Sequence, residues 1–220
     1  MQTSIIVGAL TALLLASATA QAMQRYEVPV LSADEIAATL KGGEEIEARV
    51  DGDLNGDGDA DTAWIVRGDD ARALHVQFAV RGEFDFYHEP AGSIELDAYP
   101  LGPADMTISK GVLVVKDLTG GTTAVSATYR FRGEKAKPRM RLIGLDATLY
   151  SRSYAHDGAE MSWNVLTGDV TATRMKLIGE GENATYDASA VMRFKRPVKA
   201  WYMEDTPDAA ETLDMAMKGK

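Results

Sequence analysis

The 220-residue sequence contains no cysteine. This absence excludes disulfide bridges, thiol nucleophiles, cysteine-ligated zinc and iron–sulfur clusters. Positive charge is also scarce, because 23 Lys and Arg face 33 Asp and Glu, which gives a formal net charge of −10. Such a chain lacks the basic footprint that nucleic acids require, so we expect no nucleic-acid partner. With 45% hydrophobic and 25% charged residues, the composition indicates a globular protein.

One long apolar run is present, at the N-terminus, and it predicts export. Residues 5–20 carry no charge, and residues 20–22 read Ala-Gln-Ala, an A-x-A cleavage pattern. The run is too short and too rich in Ala and Thr for a membrane span, which needs about 20 strongly apolar residues. We therefore predict a signal peptide over residues 1–22, a periplasmic or secreted location and no stable membrane span after cleavage. An uncleaved anchor helix is the alternative, because residues 1–4 lack Lys and Arg.

The remaining chain predicts a mainly β fold, a single antiparallel β-rich domain over residues 23–205. Ser32 and Glu35 form a capping box that begins a helix of about two turns. From residue 44 onward, apolar residues recur at every second position between turns rich in Gly. Strands are predicted at residues 44–50, 62–67, 72–80, 106–109, 112–117, 123–131, 139–150, 161–166, 171–177 and 190–195.

Two stretches give weaker signals. Residues 81–104 are broken by Gly and Pro, so we predict a loop with one short strand near residues 94–96. The tail, residues 206–220, either frays or forms a short C-terminal helix, with Thr206 as its N-cap and Pro207 in its first turn.

The clearest chemical motif lies at residues 51–61. Read from Asp53, it is D-x-N-x-D-G-x-x-D, the first nine positions of an EF-hand-type calcium loop. Calcium takes six to eight oxygens, so the chain must wind around the ion, and the Gly at position 6 permits the sharp turn. Position 7 would offer its main-chain carbonyl, and position 9 would bind directly or through a water. The predicted metal ligands are Asp53, Asn55, Asp57, Asp59 and Asp61.

The loop departs from a sensor EF-hand in two ways. Position 12 is Trp64 rather than the bidentate Glu, and a strand follows where an EF-hand continues as a helix. Because the loop ties one strand to the next, we predict a structural Ca²⁺ rather than a catalytic one. A solvated acidic turn without an ion is the alternative.

The segment from Gly52 to Asp61, followed by an apolar strand, resembles the calcium loop of FG-GAP/VCBS-type repeats. It occurs once, so a complete propeller is not expected. Together with later motifs, it resembles a group of small, mostly uncharacterised exported bacterial proteins. That resemblance implies an exported β-rich calcium-binding protein and no particular activity. The later motifs are Gly111-Val-Leu-Val-Val115, Tyr129-Arg-Phe-Arg132, Arg141-Leu-Ile-Gly-Leu-Asp146 and Trp163-Asn-Val-Leu-Thr-Gly168.

Other candidate residues carry less information. His75, His88 and His156 show no zinc spacing. Residues 130–141 hold six basic residues and one acid, and we interpret them as a solvated basic hairpin or a docking patch for an anionic partner. The three Trp residues are interpreted as core aromatics, with a carbohydrate platform as the alternative.

Two functions remain open at this level. The first is a non-enzymatic exported protein with structural calcium that binds an unknown envelope component or protein partner. The second is a hydrolase of the cell envelope or of extracellular polymers, with a site in residues 81–104 that uses carboxylates or His88, because sites tend to lie on loops. No set of catalytic residues is recognised, so no catalytic residue and no further cofactor is predicted.

Overall fold

The computed structural model describes residues 26–220, so the predicted signal peptide lies outside the described residues. The fold is mainly β, as predicted, with two antiparallel sheets and two short helices. The small sheet has the order β1-β2-β3-β4, formed by Glu45–Gly52, Asp61–Arg67, Arg72–Arg81 and Phe86–Glu95. The large sheet is a meander, β5 to β11 in chain order, formed by Asp105–Ser109, Val112–Gly120, Thr123–Gly133, Met140–Ser151, Gly158–Asn164, Asp169–Ile178 and Thr185–Lys195.

The helices are short, and both have side-chain caps. Helix α1, Ala33–Ala37, has the predicted capping box: Ser32 N donates to the Glu35 carboxylate at 2.8 Å, and Glu35 N donates to Ser32 Oγ at 3.2 Å. Helix α2, Ala209–Met217, confirms the C-terminal helix. Its predicted N-cap at Thr206 is wrong, because the Asp208 carboxylate, a strong N-cap acceptor, takes the Glu211 N–H at 2.7 Å. No helix among residues 26–220 is long and apolar enough to cross a membrane.

The prediction of a loop across residues 81–104 is wrong, because strand β4 runs from Phe86 to Glu95. The strand tolerates Pro90 because β4 is an edge strand, where a missing N–H leaves no partner unpaired. Its pairing with β3 shifts by one residue, so that Val76 faces Gly92 and Gln77 faces Pro90. Gly92 has a φ of +153°, a conformation that side chains disfavour. A bulge therefore reconciles the breaking residues with a strand.

The main core lies where one face of each sheet meets the other. Alternate residues of β3 and β6 point into it, as period-two patterning requires. Helix α2 adds Ala209, Leu213 and Ala216 to this core, so it packs as part of the β-rich domain. A second cluster on the opposite face of the small sheet packs α1 against β2 and consists of Leu31, Ile36, Trp64 and Val66.

A buried ion triad joins the two sheets. Arg72, on β3, is 2% exposed and donates to Glu47 on β1 at 2.6 and 2.7 Å. The same guanidinium donates to Asp117 on β6, in the large sheet, at 2.8 and 3.0 Å. Glu47 also accepts the Ala104 N–H at 2.8 Å. Burial alone would raise the pKa of Glu47, but the hydrogen bonds from Arg72 and Ala104 outweigh it and lower that pKa.

Replacing Arg72 with Met should lower the free energy of unfolding by about 3–5 kcal/mol, because two buried carboxylates lose their partner. Urea unfolding at pH 7 measures the change. The control is Lys116→Met, since Lys116 pairs with Asp105 at the surface, where loss of a pair costs about 0–1 kcal/mol. Equal losses in the two variants would contradict a structural role for the triad.

The lowered pKa of Glu47 also predicts acid sensitivity. The unfolded chain takes up a proton at this carboxyl near its ordinary pKa of 4.5, before the folded chain does. The contribution of Glu47 to stability is therefore complete above pH 4.5 and is lost as the pH falls through its lower folded pKa. Glu47→Gln should flatten the decline in stability below pH 4.5, measured by urea unfolding across pH. Glu182→Gln, at an exposed turn, should leave the decline unchanged.

Candidate functional site

The acidic loop joins β1 to β2 and winds around the carboxylate of its first predicted ligand. The two oxygens of Asp53 accept the N–H groups of Gly56, at 2.6 Å, and Gly58, at 3.0 Å. Both glycines have left-handed φ values, +80° and +89°. Glycine adopts such values without steric cost, so the loop can turn tightly at both positions.

The next polar side chains fold back onto the same loop. Asn55 Oδ1 accepts the Asp57 N–H at 2.9 Å, and an Asp57 carboxylate oxygen accepts the Asp59 N–H at 2.8 Å. Asn55 Nδ2 donates to the other Asp57 oxygen at 3.1 Å. The side chains at positions 1, 3 and 5 thus all engage the main chain of a single turn.

The last two acidic residues anchor the loop to the sheet. Asp61 is fully buried, and its oxygens accept the N–H groups of Leu54, at 2.7 Å, and Ala79, at 3.0 Å. Burial raises the pKa of Asp61 to about 7, and the charges of Asp57 and Asp53 add to the rise. Asp59 is buried as well, and its carboxylate forms an ion pair with Arg81, at the end of β3.

The basic hairpin lies against this loop. Residues 130–141 form the end of β7, a turn and the start of β8, and Gly133 N donates to Leu54 O at 3.2 Å. A Cβ built on Gly56 would lie 3.1 Å from Lys135 Cε and 3.3 Å from its Nζ. Lys135 therefore places a positive charge beside the acidic turn. Both sequence interpretations of the hairpin missed this contact inside the molecule.

The loop offers oxygens of several kinds. Among residues 26–220, no group of three or more His, Asp or Glu side chains is placed to hold a metal ion. A loop of this class, however, also uses amide and main-chain carbonyl oxygens. Asp53, Asn55 and Asp57, together with the carbonyl of residue 59, are the oxygen donors that a loop of this class would offer to a hard cation. Asp61 has no exposed surface, and its contacts with Leu54 and Ala79 hold the loop in position.

The three histidines have separate surroundings. His75 stacks on Trp64 with ring centroids 5.4 Å apart, and burial lowers its pKa despite the charge of Glu44. Both rings line a cleft of about 710 Å³ beside the turn that follows α1. His88 Nε2 lies 3.1 Å from Pro29 O. His156 Nε2 lies 2.8 Å from Thr123 Oγ1.

Sequence reasoning missed the two cations that contact the loop, Arg81 and Lys135. Each is far from the loop in sequence, and only strand pairing brings it close. The sequence signal for Arg81 is faint: it is a basic residue at the end of the alternating run of β3. The only sequence signal for Lys135 is the density of basic residues in the hairpin.

Comparison with protein-family models, with curated proteins and with solved structures gave no match. The loop and its contacts are therefore the basis on which a function is proposed.

Asp61→Asn should lower the free energy of unfolding by about 1–3 kcal/mol, the cost of leaving a buried donor unpaired. An amide has one oxygen, so it cannot accept both the Leu54 and Ala79 N–H groups. Urea unfolding measures the loss, and Asp69→Asn, at an exposed turn, is the matched control. A loss no greater than in that control would contradict the anchoring role.

Proposed function

We propose that this protein is an exported, non-enzymatic binding protein whose acidic loop holds one structural Ca²⁺. The observation that carries the calcium proposal is the winding of the loop around Asp53, which receives two N–H groups of the same turn. Hard cations prefer oxygen ligands gathered in this way from one loop. The resemblance to FG-GAP/VCBS calcium loops supports the same proposal.

The proposed ligands are Asp53, Asn55 and Asp57, with the main-chain carbonyl of residue 59. Asp61 positions the loop through its hydrogen bonds with Leu54 and Ala79. The ion pair of Asp59 with Arg81 also holds the loop in place. With two carboxylates in the ligand set and Lys135 nearby, affinity should be modest, with a Kd of about 0.1–1 mM, as in extracellular calcium modules. Such a site is filled where calcium is millimolar, which agrees with export.

The role of the ion is to hold the β1–β2 connection. Carboxylates in one turn repel each other, and a divalent cation would relieve that repulsion. The loop contacts β3 through Ala79 and the large sheet through Gly133, so fixing it stabilises the junction of both sheets.

The observations favour binding over hydrolysis. A hydrolase that used His88 in residues 81–104 would need this residue in a cleft, but His88 lines neither of the two clefts that we describe. Its Nε2 lies at hydrogen-bond distance from Pro29 O instead. The middle of the segment, Phe86–Glu95, is a strand rather than the loop that the hydrolase hypothesis assumed.

Calcium at about ten times its Kd should stabilise the mature protein by roughly 1.4 kcal/mol, which corresponds to a rise in Tm of roughly 3–6 °C. Thermal unfolding in millimolar CaCl₂ against EDTA measures the shift. Asp57→Ala should abolish it. Glu83→Gln removes an exposed carboxylate from another turn and should leave the shift intact.

Magnesium at the same concentration separates a specific site from simple screening of charge, because Mg²⁺ dehydrates reluctantly and demands octahedral geometry. An equal shift with Mg²⁺, or an equal calcium shift in Asp57→Ala, would contradict the proposed site.

A further inference from the structure

A second cleft, of about 440 Å³, lies beside α2 and the segment that follows β11. Two tryptophans dominate it: the rings of Trp163 and Trp201 meet edge to face, with centroids 5.9 Å apart. The apolar residues that line it are Trp163, Trp201, Pro197, Pro207 and Met215.

The polar rim of this cleft is basic. The basic residues that line it are Arg196, Lys199 and Lys220. None of the described lining residues is Asp or Glu. In a protein with a net charge of −10, this grouping runs against the overall charge. The rim would therefore attract an anion by charge complementarity.

Two of the cations are held against the aromatic rings. The Arg196 guanidinium lies 4.9 Å from the centre of the Trp163 ring, and Lys199 Nζ lies 3.5 Å from that of Trp201. Arg196 Nη2 is fixed further by Thr212 O at 3.2 Å and Lys220 O at 2.6 Å. Lys199 makes no ion pair within residues 26–220, so its ammonium is the group available to a ligand.

We infer that the cleft binds a small organic anion with an apolar body, of the medium-chain carboxylate type. The body would lie on the Trp pair and Met215, and the carboxylate would accept hydrogen bonds from Lys199. A sugar fits less well. None of the described residues that line the cleft is Asp, Glu, Asn or Gln. This inference names a ligand class for the binding role proposed above and rests on that role, but it does not depend on the calcium loop.

Calorimetric titration with decanoate, below its micelle concentration at pH 7, tests the inference. Decanol and decylammonium, which have the same chain, serve as neutral and cationic comparisons. We expect saturable binding of decanoate at one site, and binding at least about tenfold weaker for the other two, because a charged hydrogen bond is lost.

Nitrogen-15 NMR locates the site, because each of the three tryptophans gives one indole N–H signal. Decanoate should shift the signals of Trp163 and Trp201. The signal of Trp64 should stay in place, since Trp64 packs in the cluster beside α1.

Two variants probe the rim. Lys199→Met removes the charge while keeping an apolar stem, and Met215→Asp places a negative charge in the cleft. Each should weaken decanoate binding at least about tenfold. Their controls are Lys195→Met, whose lysine pairs with Asp169, and Ala210→Asp, an exposed position on α2 that does not line the cleft. Both controls should bind as the wild type does.

Equal binding of decanoate and decanol, unchanged affinity in Lys199→Met and Met215→Asp, or a shift of the Trp64 signal would overturn the inference. The calcium-dependent rise in Tm, measured on the same samples, is a separate readout. A calcium-dependent rise in Tm without decanoate binding would reject only the proposed anion site in the cleft. Loss of both would reject the calcium site and the binding role together, which is the whole of the proposed function.

Discussion

The two sheets are joined by one buried guanidinium. Arg72 takes its position from β3 and reaches Glu47 in the small sheet and Asp117 in the large sheet. An Arg fork can satisfy two carboxylates at once, which a Lys ammonium cannot do with the same geometry. Because all three groups are buried, any shift of one sheet against the other would leave a charge unpaired. Apolar contacts carry no such directional requirement, so we infer that the triad sets how the sheets face each other.

The acidic loop depends on that arrangement. Its own turn is local, since Asp53 and the glycines wind the chain without outside help. Its orientation is not local, because Ala79 and Arg81 on β3 hold its far end and Gly133 on β7 holds its start. The proposed ion site therefore lies at a junction of both sheets. The basic hairpin, which the charge pattern presented as an outward feature, supplies a cation to this junction.

Sequence reasoning succeeded where a signal was local. The alternation in β3, the capping box at Ser32 and the D-x-N-x-D-G turn each depend on neighbours within a few residues. It failed in β4, where Pro90 and Gly92 read as breakers. The edge position of the strand and a bulge against β3 make both residues acceptable, and neither can be read from β4 itself. The sequence pattern predicted Thr206 as the N-cap of α2, but Asp208 caps the helix. Both residues have side-chain oxygens that can cap a helix, so the pattern alone does not separate them.

The sequence by itself determined the mainly β fold, the helix that begins after Ser32 and the tight turn of the acidic loop, because period, caps and turn residues act over short distances. The tail could fray or form a helix, and its packing against the core decided for the helix. Only the tertiary structure decided which charges meet. Strand register brings residues together that are distant in the sequence. Arg72 thus pairs with Asp117, Arg81 pairs with Asp59, and Lys135 lies beside Gly56. The sequence is acidic and has fewer positive than negative charges. In the fold, several of its cations lie at the sheet junction, against the acidic loop and around the tryptophan cleft.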